Sequence, residues 1–332
     1  MTMKPKTGGH EAPNHKAEAH EEPKKQEAHP QEIESHLFEM RMEYSKEAME
    51  AIKPSEPSIR LEFFRHDDKL KAEPGQHDNQ VRLNPKGRAH ARTAGKQTGL
   101  NPEMAIIYGS PRERSVETGY QRLFGEESGT SAEMSLEEMI AKVNSNIKYG
   151  KKHGVKKNLD FTFEGSPAMS AALKKHFGET KDLTTFMFEE SDKMAQENKD
   201  VNSNTFSRNA ANIASIIKKY LHSLPRWEQI TKTSDKKEHY EHNGNQIQRL
   251  FGTHGSVLEP FLLRLIKHAE GETAARDFIK TMPDGNSFDF SEGYSITISR
   301  NNKGVPIITV THKNLNFEIT EDLLDRIISE RK

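Results

Sequence analysis

Apolar and polar residues fall in short blocks along this chain, and the period of the blocks switches between strand-like and helix-like. From Ile59, "IRLEFFRH" is strand-like, rich in aromatic and β-branched residues and without a helical stripe. "LNPKGRAHARTAGKQTG" predicts a helix, with proline near its start and glycine after its end. "MAIIYGS" predicts a second strand, and "PRERSVETGYQRLFG" a helix that stops at Gly125. Later, "IQRLFGTHG" and "VLEPFLLRLIKHAEG" repeat the strand–helix order. Such alternation implies right-handed β-α-β crossovers. It predicts an α/β fold, a three-layer α/β/α sandwich around a mainly parallel central sheet.

The stretch from about 126 to 246 is charged and mostly helical in pattern, with "SNTFSRNAANIASIIKKYLHSLPRWEQI" its most apolar part. It is expected to be a helical insertion that caps the sheet. "YSITISRNNKGVPIITV" alternates apolar and polar residues around Asn301–Gly304, which predicts a C-terminal β-hairpin. A last helix starts at Thr320, a good N-cap followed by Glu321 and Asp322. At the other end, residues 1–30 hold no leucine, isoleucine, valine or aromatic residue, and predict a disordered polar tail. His10, His15 and His20 recur there, but unstructured histidines lack the oriented surroundings of a metal site. In residues 31–55 an apolar stripe of Ile33, Leu37, Met40, Tyr44, Ala48 and Ile52 predicts an amphipathic helix. It is expected to pack on the domain formed by residues 56–332, with a homodimer contact as the alternative.

Composition narrows the function classes. The chain has 332 residues and 33% apolar residues, so the folded part should be shorter than the whole. Its 49 basic and 50 acidic residues nearly cancel. No overall field then favours nucleic acid or an anionic membrane, and neither is expected as a partner. Any anion must be recognised locally. With no cysteine, disulfides, thiolate catalysis and cysteine zinc sites are excluded, which fits a reducing compartment. No apolar run approaches the roughly 20 residues of a spanning helix. The chain reads as soluble and cytoplasmic.

Ligands of open α/β sheets bind beyond the carboxyl ends of the strands. The first predicted strand ends in Arg65-His66, the second in Ser110, and the later one in Thr253-His254-Gly255. Ser110 before Pro111, with Glu113 three residues on, reads as a capping box. Arg114 then lies one turn in and can lean back over the strand end, with Thr118 a further turn along. Arginines, histidines and helix N-termini together describe a pocket for a tetrahedral dianion. Each feature alone is ordinary; their order along the chain is not.

"RH" at 65–66, "LNPKGRAHA" at 83–91, "SPRERSVET" at 110–118 and "THGSVLEPFL" at 253–262 resemble the histidine phosphatase superfamily, which includes phosphoglycerate mutases. Its pattern is Arg-His-Gly after the first strand, a helix of the type L-T-x-x-G-x-x-Q-A, then S-x-x-x-R-x-x-x-T, then a second His-Gly. The resemblance implies that His66 is a nucleophile carrying a phosphohistidine, with Arg65, Arg114 and His254 completing the phosphate pocket. Ser110, Thr253 and Glu164 are expected to bind the substrate or its phosphate with Arg65 and Arg114. The general acid of the mutase branch is matched best by "NLDFTFEG", with Asp160 the first choice and Glu164 the second. Fixed cations can hold the charge of the transferring group, so no cofactor or metal is implied.

The sequence departs from the pattern where Asp67 replaces the family glycine. A carboxylate there would repel phosphate unless it turns away or meets Arg88, Arg92 or Arg112. Residues 69–80 form an extra loop in which His77 and Asp78 could reach substrate, although a solvated loop is the plainer expectation. The reading is a metal-independent phosphomonoesterase acting on a small phosphorylated substrate or a phosphoprotein. The alternatives are a phosphomutase and a catalytically inactive phosphate-binding or scaffold module.

Overall fold

Ser58–Arg65 forms the first strand, β1, and sends alternate side chains to opposite faces of the sheet. Ile59, Leu61 and Phe63 enter one core, while Phe64 enters another. The computed structural model describes residues 56–125, 153–162, 166–180, 182–283 and 287–331, together with Ser135, Glu137, Glu138 and Ala141. All of these belong to one unit, Ile52–Lys332. The expected tail 1–30 and the whole segment 31–55 lie outside the described residues, as does Glu164.

After β1 come α1 (Pro85–Gln97), β2 (Ala105–Gly109) and α2 (Glu113–Phe124). β3 (His153–Val155) is followed by α3 (Pro167–Thr180), α4 (Leu183–Phe186), α5 (Asp192–Glu197), α6 (Phe206–Leu221), α7 (Leu224–Thr233) and α8 (Lys237–His242). The chain then forms β4 (Gln246–Thr253), α9 (Gly255–Glu270), α10 (Glu272–Thr281), β5 (Gly293–Arg300), β6 (Pro306–His312), β7 (Leu315–Ile319) and α11 (Glu321–Ser329). The local rules hold at several ends. Asn84 caps α1 through Gly87 N–H with proline at the start, and Thr320 caps α11 through Leu323 N–H.

Among the described residues the sheet has seven strands, in the order β3-β2-β4-β1-β5-β6-β7. β3, β2, β4 and β1 pair in parallel, whereas β5, β6 and β7 add antiparallel to the other edge of β1. The sheet is therefore mixed, not mainly parallel. Strands joined by tight turns, as β5–β6 is at Asn301–Gly304, must run antiparallel. The expected hairpin is present, but it extends the main sheet, and β7 adds a strand the pattern did not show.

Part of the expected insertion is integral. Ile213, Ile217 and Leu221 of α6, and Leu224 and Trp227 of α7, lie in the large core with Leu61, Phe63, Phe251 and Leu262. Burying each such side chain stabilises the fold by roughly 1.5–3 kcal/mol. Among the described residues no helix is long and apolar enough to cross a membrane.

Candidate active site

Sheet register assembles the site. Arg65 pairs with Thr253 across β1 and β4, and Gly109 with Gly252 across β2 and β4, so the three predicted strand ends lie side by side. Two main-chain bonds beyond the strands continue the alignment: His66 N–H to the Thr253 carbonyl (2.7 Å) and Ser110 N–H to the Gly252 carbonyl (3.0 Å). The ends open into a cleft of about 660 Å³.

His66 is buried at the cleft floor. Its Nδ1 lies 2.8 Å from the main-chain carbonyl of Asp67. A carbonyl only accepts, so Nδ1 carries the proton and Nε2 keeps its lone pair. Nε2 in turn accepts from Arg114 Nε at 3.2 Å. Burial, and after it the Arg114 charge, hold His66 well below the usual histidine range, so the ring is neutral. His254 stands across from it, with ring centroids 4.9 Å apart and planes at 81°. Burial first, then His66 and the arginines around it, hold His254 well below its ordinary value too. Its Nε2 is buried without a hydrogen-bond partner among the described residues. A buried ring nitrogen in that state can serve an incoming ligand oxygen.

Three guanidiniums surround these rings. Arg65 donates to the Phe288 carbonyl and lies over the Phe290 ring, 4.6 Å from its centroid. Phe288 is itself held by Glu259, whose Oε1 accepts from Phe288 N–H at 2.8 Å and from Ser287 Oγ at 2.5 Å. The other Glu259 oxygen accepts from Thr184 Oγ1 at 2.6 Å, and burial raises the pKa of this carboxyl group. Arg114 is buried; loss of solvation, with Arg112 nearby, pushes its pKa down to about 10. Arg112 donates to Asp160 (3.1 Å) and to the Phe161 carbonyl (2.8 Å). Lys69 and the start of α9 at Gly255–Ser256 complete the polar side, while Phe161, Phe177, Leu183 and Phe290 form an apolar side.

Of the sequence-predicted residues, Arg65, His66, Arg114 and His254 come together on the cleft wall. Asp160 meets the site through Arg112, and Glu164 lies outside the described residues. Ser110 and Thr253 are buried away from the wall. Ser110 Oγ bonds Ser115 Oγ at 2.9 Å, and Thr253 Oγ1 donates to the Leu159 carbonyl. The expected capping box does not form, because α2 starts at Glu113 and its N-cap Arg112 makes no side-chain cap. Position at a strand end fixes adjacency but not direction, and these two hydroxyls point inward.

Asp67 turns its carboxylate from the cleft. It accepts from Asp68 N–H (2.8 Å) and Ser291 Oγ (2.5 Å) and meets His90 Nδ1 at 2.8 Å. None of the expected arginines is needed: Arg88 binds Glu117, Arg92 binds Gln121, and Arg112 binds Asp160. Sequence reasoning did not place the apolar side of the wall there, nor Asp68 and Ser287, nor three residues beside the histidines and arginines: Arg112, Lys69 and Phe290. Arg112 had a signal, a second cation two residues before Arg114 at a helix start. The other two had none.

No protein-family model matches the chain, and no curated protein matches it. Solved structures are similar in part. A mycobacterial glucosyl-3-phosphoglycerate phosphatase is 14% identical, with 74% of this chain and 91% of that chain covered and a TM-score of 0.37. A phosphoglycerate mutase from Bacillus anthracis is 15% identical, with 82% and 98% covered and a TM-score of 0.40. A mycobacterial hydrolase is 12% identical, with 83% and 98% covered and a TM-score of 0.37.

Proposed function

We propose that this protein is a phosphomonoester hydrolase that works through a phosphohistidine on His66, in the manner of the histidine phosphatase superfamily its motifs resemble. The observation that carries the proposal is the state of His66: neutral, with Nδ1–H on the Asp67 carbonyl and the Nε2 lone pair beside Arg114. Nε2 attacks phosphorus while the ester P–O bond breaks, and a carboxylic acid protonates the departing oxygen. Water then attacks the phosphohistidine, its proton returns to that carboxylate, and inorganic phosphate forms with His66 regenerated. Arg65, Arg112 and Arg114 hold the charge of the transferring group, and His254 Nε2 binds one of its oxygens. In this reading the fixed cations stand where other phosphoryl-transfer sites use a metal. Asp160, beside Arg112 at the cleft, is the acid.

The substrate is a phosphomonoester, either a small molecule or a phosphoprotein side chain. Hydrolysis is favoured over mutase chemistry by the rim, where Lys69 is exposed and Phe177 is 46% exposed, so water reaches the intermediate. The inactive-module reading rested on Asp67, whose carboxylate faces Ser291 and His90 instead of the anion site.

The test is turnover of p-nitrophenyl phosphate in chelator-containing buffer by wild type and His66→Ala. Wild type should turn over, and the variant should lose about a thousandfold or more. Labelling that is acid-labile and base-stable should disappear with it. Equal rates in both proteins sink the proposal.

A further inference from the structure

The loop from Lys69 to Gln80 ends in a short helical turn, Asp78–Gln80, that brings one more charge into the cleft. Asp78 Oδ2 accepts from Arg114 Nη2 at 2.9 Å and from Arg112 Nη1. Its other oxygen accepts from Lys69 Nζ at 2.8 Å, and its main-chain carbonyl from Arg114 Nη1 at 2.7 Å. One carboxylate thus sits among three of the four cations that the described residues put on the cleft wall, the fourth being Arg65. Those guanidiniums are the donors that a phosphoryl group would need.

Resting on the hydrolase reading above, we infer that Asp78 is the built-in competitor of phosphate at this site. Substrate enters by exchanging its phosphoryl oxygens for the Asp78 carboxylate. Once water has cleaved the phosphohistidine, the carboxylate returns and helps expel inorganic phosphate. Without such a competitor, a cleft of four cations would retain its dianionic product. The loop is built for the exchange. Its base is pinned where Lys69 pairs with Leu83 and Leu70 N–H binds the Arg82 carbonyl at 2.9 Å. The stretch from Lys71 to His77 is exposed, with Gly75 at φ +85° turning the chain. Asp78 can therefore swing out while the strand end carrying His66 keeps its place. Asp78 meets these cations from the solvent side, its side chain 41% exposed against 4% for Arg114, so a dianion with more acceptors can displace it.

Calorimetric titration with inorganic phosphate tests the inference without turnover. Asp78→Asn should bind phosphate at least about tenfold more tightly than wild type, whereas Asp78→Glu, which keeps the charge, should stay within about threefold of it. In the unaltered protein, amide hydrogen exchange across residues 69–80 should rise when phosphate binds, the reverse of ordinary ligand protection. Unchanged or weaker phosphate binding by Asp78→Asn, or slower exchange in the loop, overturns the inference. A wild-type protein that binds phosphate but hydrolyses nothing would remove the hydrolase reading and leave this test standing.

Discussion

The Asp67 carbonyl fixes which nitrogen of His66 is free, because it accepts the Nδ1 proton across 2.8 Å. Asp67 makes that carbonyl immobile by anchoring its own side chain behind it on Ser291, His90 and Asp68 N–H. The residue that looks like an electrostatic fault in the sequence is the support of the His66 ring.

Removing that support should cost both stability and rate. Asp67→Ala strands Ser291 and a main-chain N–H, and should destabilise the fold by about 2–3 kcal/mol in denaturant titration. Turnover should fall through kcat with KM little changed, since the phosphate donors stay in place. Asp67→Asn, which keeps an acceptor, should lose less of both.

Acid should weaken the fold through His66. Its folded-state pKa lies well below the ordinary 6.5, so below that pH the unfolded chain binds a proton that the fold refuses. Stability is then lost as pH falls from about 7 toward the folded value, by up to about 1.4 kcal/mol per pH unit. Buried Glu62 and Glu259 have raised pKa values and act in the opposite sense, so the comparison must cancel them. His66→Asn does so. The variant's stability relative to wild type should climb between pH 7 and pH 5, measured by urea unfolding at each pH.

Arg114 does two things that lysine cannot combine: its Nε faces the His66 lone pair while its Nη atoms face the cleft. Arg114→Met should lower kcat/KM for an aryl phosphate by about 10²–10³. Arg114→Lys should recover only part of that, chiefly in KM.

Gly252 lies where β4 meets α2. A Cβ there would stand 2.2 Å from the Ser115 carbonyl oxygen, a main-chain atom that cannot step aside. Gly252→Ala should cost about 3 kcal/mol or more and lower the melting temperature. Where soluble protein remains, activity should fall as well, since α2 carries Arg114 and β4 leads into His254.

The strand–helix pairs that hold His66, Arg114 and His254 were legible because each couples a short apolar run to a helix signal. The β5–β6 hairpin was legible from its alternation, but β7 and the hairpin's place in the sheet were harder. "LNFEI" is too short and too polar to stand out, and the pairing of β5 with β1 is a long-range choice that no local pattern encodes. Asp78 was read only as a loop residue that could reach substrate; its pairing with Arg112, Arg114 and Lys69 was not legible. Its importance depends on how far a loop reaches, and its sequence surroundings, "GQHDNQ", look like solvent-exposed chain. Ser110 and Thr253 were over-read because neighbours of cleft residues share their address but not their orientation.

The carbonyl that receives Arg65 belongs to Phe288, and the hydroxyl that anchors Asp67 belongs to Ser291, both far along the chain from the residues they serve. A fragment cut after α9 would keep both site histidines and all three cleft arginines. It would nonetheless lose the strand beside β1 and leave Arg65 and Asp67 without these partners. Splitting this protein there should yield two inactive pieces, with recovery depending on whether β5 can re-pair with β1 when the pieces are mixed.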